Sequence, residues 1–164
     1  MIRIELAFRL LVTSASLLIL LIPKATRADD ITEIPLAQVP RAVMETVKRK
    51  FPEAQPQSAS RGTEDSKPFY DVFIKVKTQN IWVTCDAQGA VLVVDREIAP
   101  QDLPKPVTEA LNKKYPKATI RAVNEITEDN ETSYDVALTF NKKKLVAIFE
   151  ASGQFVEEMD DDQP

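Results

Sequence analysis

Acidic side chains recur at matching places in this chain, and their carboxyl groups can act as acids and bases in catalysis. Glu64 and Asp71 lie in the stretch TEDSKPFYDV, and Glu128 and Asp135 occupy the same places in TEDNETSYDV. A pair of carboxyl groups can hydrolyse a bond when one is protonated and the other is charged. These acids also stand at turns and strand starts that each copy of the phrase needs for its backbone. That structural interpretation accounts for them, so we predict no catalytic residues.

The chain contains no histidine, one cysteine and three glycines among its 164 residues. The absence of histidine excludes the commonest general base and the Ser-His-Asp and Cys-His nucleophile systems. The same composition excludes the usual zinc sites and a glycine-rich phosphate loop. We therefore predict a protein that is not an enzyme, with no metal site, no cofactor-binding site and no cofactor.

The single cysteine, Cys85, shares a predicted strand face with Ile81 and Val83. This setting favours a small buried hydrophobic side chain over a reactive thiol. A lone cysteine forms no internal disulfide, so packing must supply the stability of the chain.

An internal repeat indicates the elements that position these residues. A shift of 64 residues places residues 40–95 on residues 104–159 without a gap, and 14 of the 56 pairs are identical. Because there is no gap, the connections must have the same length in both copies, which is typical of a duplicated supersecondary unit.

Each copy begins with a predicted helix that a proline precedes, Pro40 or Pro104, and that a second proline ends, Pro52 or Pro116. Four short segments with strand character follow each helix. TED closes one hairpin and YDV opens the next strand, so the repeated phrase marks the same hairpin built twice.

The predicted fold class is α+β, with two tandem repeats that each consist of one helix packed on a four-stranded antiparallel meander. The repeats cover residues 36–98 and 100–159, and residues 160–164 form an acidic disordered tail. One unit of this size is marginally stable alone. Side-by-side docking of the two units would extend the sheet and cover strand edges.

Residues 1–28 are predicted to be a secretory signal peptide. Arg3 and Arg9 precede the apolar run Leu10–Ile22, and Ala28 ends a small-residue cleavage pattern. The alternative is an N-terminal anchor that is not cleaved. The apolar run is shorter than the roughly 20 residues that span a membrane, so we expect no stable membrane span after cleavage.

The charge of the remaining chain limits the class of partner that it can bind. Removal of residues 1–28 leaves 17 basic and 24 acidic residues, a net charge of −7. This balance argues against a nucleic-acid partner, which requires a basic surface. We predict an exported protein, periplasmic or secreted, with an exported protein as its partner.

Strand parity predicts a surface for that partner. With Val76 paired to Ile81 and Cys85 paired to Val91, the core side chains of three strands share one face. The opposite face then carries an apolar patch without an assigned helix, and its members are Phe73, Trp82, Leu92 and Val94. Exposed apolar patches often mark interaction sites, and Trp is enriched among binding hot spots. The alternative is that the other unit, the N-terminal segment or a second copy covers this face.

The repeated pattern resembles the PepSY-like domains, which are grouped with the β-lactamase inhibitor protein. The resemblance rests on the helix ends KRKFPEA and NKKYPKA, on YDV, and on the turns DAQG and EASG, and it covers roughly residues 36–159. The glycine usual in the middle hairpin is replaced by KTQN and NKKK. The resemblance implies an α+β unit with a helix against an antiparallel sheet, often in tandem. It also implies a binder or inhibitor of other exported proteins, and it carries over no catalytic residues.

Two functions remain open at this stage. The first is an exported, non-catalytic protein-binding module that inhibits or regulates another exported protein. The second is a structural or accessory protein of the envelope that acts by self-association, without a specific inhibited target.

Overall fold

A computed structural model gives the fold, and it describes residues 29–161. Nine antiparallel strands form one sheet, in which each strand pairs with the next strand along the chain. The strands are β1 (Asp29–Ile34), β2 (Gln55–Glu64), β3 (Lys67–Val76), β4 (Gln79–Asp86), β5 (Val91–Ile98), β6 (Thr119–Glu128), β7 (Glu131–Phe140), β8 (Lys143–Glu150) and β9 (Phe155–Asp160). The helices are α1 (Arg41–Lys50) and α2 (Lys105–Lys114), and a short 3-10 helix precedes each of them, Leu36–Gln38 and Pro100–Asp102.

The predicted fold class, two tandem helix-plus-four-strand repeats, is wrong. All nine strands belong to a single sheet, because β5 pairs with β6 from Val93 opposite Glu128 to Ile98 opposite Val123. One strand, β1, was not predicted, and it pairs with β2. Both differences concern the pairing of strand edges. The free backbone groups of an edge need a partner strand, and the side-chain pattern of one strand does not specify which strand that is. The β5–β6 pairing is the side-by-side extension of the sheet that the sequence favoured.

The predicted signal peptide, residues 1–28, lies outside the described residues. Residues 162–164 of the predicted acidic tail lie outside them too. Asp160 is the last residue of β9, and the side chain of Asp161 pairs with Arg121.

Both helices start directly after a proline and end before another. Pro40 and Pro104 occupy the N-cap positions, and the residues before Pro52 and Pro116 are the C-caps. A proline cannot donate a backbone hydrogen bond and restricts the residue before it, so it delimits a helix at either end. Basic residues fill the last turn of each helix, where they complement the helix dipole.

Each helix packs its apolar side on the same face of the sheet, and two core clusters result. The cluster under α1 contains Val39, Val43, Val47, Ala59, Val72, Ile74, Ile81, Val83 and Cys85. The cluster under α2 contains Leu103, Val107, Leu111, Tyr115, Val123, Tyr134, Val136, Leu138, Leu145, Ala147 and Phe149. Cys85 is fully buried here, which confirms the interpretation of this residue as a buried hydrophobic side chain.

The TED phrase forms a two-residue hairpin turn in both of its positions. Asp65 and Ser66 have φ angles of 48° and 64°, and Asp129 and Asn130 have φ angles of 50° and 65°. Positive φ at both central residues is the mark of a type I′ turn, whose twist matches that of the flanking strands. Asp and Asn tolerate this conformation better than most residues, which explains why the phrase recurs.

Candidate functional site

The sheet face opposite the two helices carries the residues that the sequence singled out, and we call it the helix-free face. Phe73 and Trp82 are direct cross-strand partners on this face. Their neighbours along the strands, Val72 and Val83, point to the cluster under α1. The rings of Phe73 and Trp82 stack with centroids 4.7 Å apart and an interplanar angle of 25°. Both side chains are half-buried, so the pair presents apolar surface to solvent.

The structure corrects the predicted register of the β3–β4 hairpin. Val76 pairs with Gln79 rather than with Ile81, and Ile81 pairs with Ile74. The connection therefore has two residues instead of the four in KTQN, and Lys77 takes a positive φ of 56° in place of a glycine. A shift of two residues preserves the face of every side chain, because strand side chains alternate with a period of two.

A β-bulge changes the outer part of the predicted patch. Cys85 pairs with Val91 as predicted, but Thr84 pairs with Val93, so Leu92 is an extra residue on β5. The bulge turns Val94 towards the helices, where it packs against the cluster under α1. The structure thus brings Phe73 and Trp82 together and separates Val94 from them. An inserted residue reverses the alternation of the strand that follows it.

Asp95 takes the place opposite Trp82 that the sequence had assigned to Val94. Its side chain is buried, with 5% of the residue exposed. Asn124 Nδ2 donates a long hydrogen bond of 3.4 Å to Asp95 Oδ2, whereas Asp95 Oδ1 has no hydrogen-bond partner among the described residues. Burial, followed by the charge of Asp135, raises the pKa of the Asp95 carboxyl to about 7. Asp95 therefore changes its charge near neutral pH.

Two other acids accompany Asp95 on this face. Asp71 accepts a 2.7 Å hydrogen bond from Thr84 Oγ1, and its pKa is raised because burial outweighs that hydrogen bond. Asp135 holds the equivalent place on β7 and is 8% exposed. These two acids were noted in the sequence as a repeated pair, and the structure puts them on either side of Asp95. The carboxyl groups of Asp71, Asp95 and Asp135 make the centre of the helix-free face acidic.

The residues that the structure describes contain no group of three or more His, Cys, Asp or Glu side chains placed to hold a metal ion. Cys85 lies on the opposite face, and burial followed by the charges of Asp86 and Asp71 raises the pKa of its thiol to about 11. A thiol in that environment stays protonated and is a poor nucleophile.

A second candidate is a cleft of about 530 Å³ between the end of α2 and the edge strand β9. Tyr115 donates a 2.5 Å hydrogen bond to Glu158 there, and Lys114 lies 3.9 Å from the centroid of the Phe155 ring. Burial, followed by the hydrogen bond to Glu158, raises the pKa of Tyr115. The phenol therefore keeps its proton and donates it in the hydrogen bond to Glu158.

Asp95 is the residue that the sequence reasoning missed. The available signal was an acid directly after the apolar run VLVV, in the segment VLVVDREI that forms strand β5. Charged side chains are rarely buried without a partner, so an acid within a predicted inner strand indicates a functional position.

Comparisons with known proteins place this geometry in a structural group. No family profile and no curated protein matches the chain. A BLIP-like protein from Bacteroides fragilis matches with a TM-score of 0.60 and 21% identity, over 74% of this chain and 85% of that one. The fold is BLIP-like. The similarity to these solved structures defines the fold alone, and the PepSY-like grouping stays a prediction.

Two further solved structures share the BLIP-like fold. A DUF2874 family protein from Bacteroides uniformis matches with a TM-score of 0.61 and 14% identity, over 74% of this chain and 88% of that one. A predicted periplasmic protein from Bacteroides eggerthii matches with a TM-score of 0.62 and 11% identity, over the same shares. Within residues 29–161, no helix is long and apolar enough to cross a membrane.

Proposed function

We propose that this protein is an exported, non-catalytic binding module that docks a protein partner on the helix-free face of its sheet. A role as an inhibitor or regulator of that partner is part of the proposal. The name of the Bacteroides fragilis protein, BLIP-like, supports a protein-binding role, and the periplasmic description of the Bacteroides eggerthii protein supports export.

The observation that carries the proposal is the stacked pair of Phe73 and Trp82 beside Asp95. Large aromatic side chains that stay half-exposed on a sheet face offer apolar area at a low entropic cost. A buried acid next to them supplies a polar anchor that fixes orientation. Both described helices pack on the other face, so neither of them covers this side of the sheet.

The alternative, a structural protein that self-associates, would use the two edge strands of the open sheet. The edge strand β9 is acidic, because it carries Glu157, Glu158 and Asp160, and the edge strand β1 carries Glu33. Like charges repel when two such edges approach, and charged edges are a common device against edge-to-edge pairing. This favours a hetero-partner over self-association.

The test replaces Trp82 with alanine and measures folding and binding separately. The wild-type protein, Trp82→Ala and the control Val156→Ala serve as baits in an extract of the bacterial envelope. Val156 is an apolar side chain on β9 that is 41% exposed, so the control removes exposed apolar area away from the aromatic pair.

We expect one stoichiometric partner on the wild type and on the control, and its loss from Trp82→Ala with an unchanged unfolding midpoint. Retention of copies of the chain alone would favour self-association instead. A large loss of stability in Trp82→Ala would assign Trp82 to internal packing.

Export has its own test. Mass spectrometry of protein recovered from the envelope or the medium should find an N-terminus near Asp29, after the Ala28 cleavage position. Protein that starts at Met1 and stays in the membrane would contradict the signal peptide.

A further inference from the structure

One cross-strand row on the helix-free face joins aromatic, acidic and polar side chains. From β3 to β7 the paired residues are Phe73, Trp82, Asp95, Ile126 and Ser133. Neighbouring strands lie about 4.8 Å apart, so this row spans about 19 Å. That length suits an extended segment of a few residues that crosses the strands.

Two buried polar atoms in this row lack partners. Asp95 Oδ1 and Ser133 Oγ have no hydrogen-bond partner among residues 29–161. Asp95 is 5% exposed and Ser133 is 9% exposed. A buried polar atom without a hydrogen bond costs free energy, and a charged one costs more. A ligand that brings donors to this row would recover that cost.

The charges around Asp95 indicate which donor fits. The charged groups that shift the pKa of Asp95 are Asp135, Asp71 and Glu97, and no cation of the described chain is among them. The neighbouring cation, Arg96, points to the other face and pairs with Glu125 at 2.5 Å. Among residues 29–161, the centre of the helix-free face thus carries several acids, and no cation lies close enough to Asp95 to shift its pKa.

We infer that the partner segment docked on the helix-free face presents an arginine flanked by apolar side chains, with the guanidinium on Asp95 and against the Trp82 ring. This inference rests on the proposed function and adds the chemistry of the partner. A planar guanidinium can donate to both oxygens of one carboxylate and can stack on an indole at the same time. An ammonium group can do only one of these well, so arginine is preferred to lysine. The apolar neighbours contact Phe73, the half-buried ring that lies beyond Trp82 in the row.

The experiment selects ligands from a random library, so the partner does not have to be identified first. Random linear peptides displayed on phage are selected against the purified exported protein, and the enriched peptides are synthesised. Their affinities are measured by calorimetry for the wild type and for three variants. Asp95→Asn removes the charge, Trp82→Ala removes the ring, and Asp102→Asn is the control. Asp102 is an exposed acid in the connection before α2, so its variant reports non-specific electrostatic attraction.

We expect the peptides to be enriched in arginine next to apolar residues. Asp95→Asn should weaken their binding by about tenfold or more, as for a lost charge-assisted hydrogen bond. Asp102→Asn should change binding by no more than about twofold, as for an exposed charge. Replacement of the arginine in the peptide by glutamate should abolish binding to the wild type, which tests the charge without any change to the fold.

Two contrary outcomes are distinguishable. Peptides that lose affinity for Trp82→Ala but contain no basic residue, or bind Asp95→Asn as well as the wild type, would overturn this inference and leave the proposed function in place. Peptides that bind Trp82→Ala as well as the wild type, or the absence of any selected binder, would count against the proposed function as well.

Discussion

Gly89 lies directly against the first turn of α1, facing the backbone carbonyl of Ala42. A Cβ atom at position 89 would be 2.6 Å from that carbonyl oxygen, and the φ angle of Gly89 is +84°. Gly153 meets Pro106 in the same way, with a distance of 2.5 Å. The glycines of DAQG and EASG therefore allow the turns before β5 and β9 to pack against α1 and α2. Glycine is required there because φ is positive and because a Cβ atom would collide with the helix backbone.

We expect Gly89→Ala to lower the free energy of unfolding by about 1–3 kcal/mol, because alanine is strained at this φ and collides with backbone. A urea titration measures the change. The matched control is Gln88→Ala, an exposed position in the same turn, for which we expect a change within about 0.5 kcal/mol. Equal losses in the two variants would contradict the close contact with α1.

The raised pKa of Asp95 predicts a pH dependence of stability. Its pKa is about 7 in the folded chain, against an ordinary value of 3.8. Between these values the folded state binds a proton that the unfolded state does not. The free energy of unfolding therefore falls as the pH rises from about 4 to about 7, by up to about 1.4 kcal/mol per pH unit.

Asp95→Asn should remove this contribution. The variant should show a flatter dependence over the same pH window, and it should be more stable than the wild type above about pH 7, because no buried carboxylate remains. Thermal unfolding at a series of pH values measures both effects. Asp102→Asn should keep the wild-type slope. A wild-type slope in Asp95→Asn would show that another acid is responsible.

The two core clusters predict matched losses of stability. Val72 and Val136 are fully buried at equivalent places under α1 and α2. Each change to alanine should lower the free energy of unfolding by about 1–3 kcal/mol, through lost burial and a residual cavity. The exposed Val156 is the control, and its change to alanine should have an effect within about 0.5 kcal/mol. A neutral result at either buried valine would mean that the strand register there is misassigned.

The burial of Cys85 predicts slow thiol chemistry. Because the side chain is inaccessible and its pKa is raised to about 11, an aromatic disulfide reagent should modify the folded protein far more slowly than the chain unfolded in guanidinium. Absorbance of the released thiolate follows both reactions. Similar rates in the two states would place the thiol at the surface.

The helices and the two TED hairpin turns could be predicted from the sequence because their signals are local. Pro40 and Pro52 bound α1, and an apolar residue at every fourth position marks its buried side. The placement of Phe73 and Trp82 on one sheet face survived an error of two residues in register, because a shift of two preserves the face. The pairing of β5 with β6 could not be predicted from local signals, because the backbone groups of β5 could have paired with many other strand edges.

The errors at the candidate site come from one inserted residue. Leu92 forms a bulge, and beyond it the alternation of β5 is reversed, so Val94 faces the helices and Asp95 faces Trp82. A bulge depends on how two strands twist together, and the period-two pattern of either strand alone does not reveal it. An acid in place of the predicted valine changes the interpretation of the face from an apolar patch to an apolar patch with a charged centre.

The spatial order of the strands, which matches their order along the chain, has a consequence for folding. Each strand from β2 to β9 adds to the strand made just before it, so none has to wait for a partner from a later part of the chain. The sequence separation between contacting residues is therefore small for a sheet of nine strands, and low contact order favours fast folding. A polypeptide that emerges progressively from a translocation channel can assemble this sheet hairpin by hairpin, because each new strand adds at the growing edge.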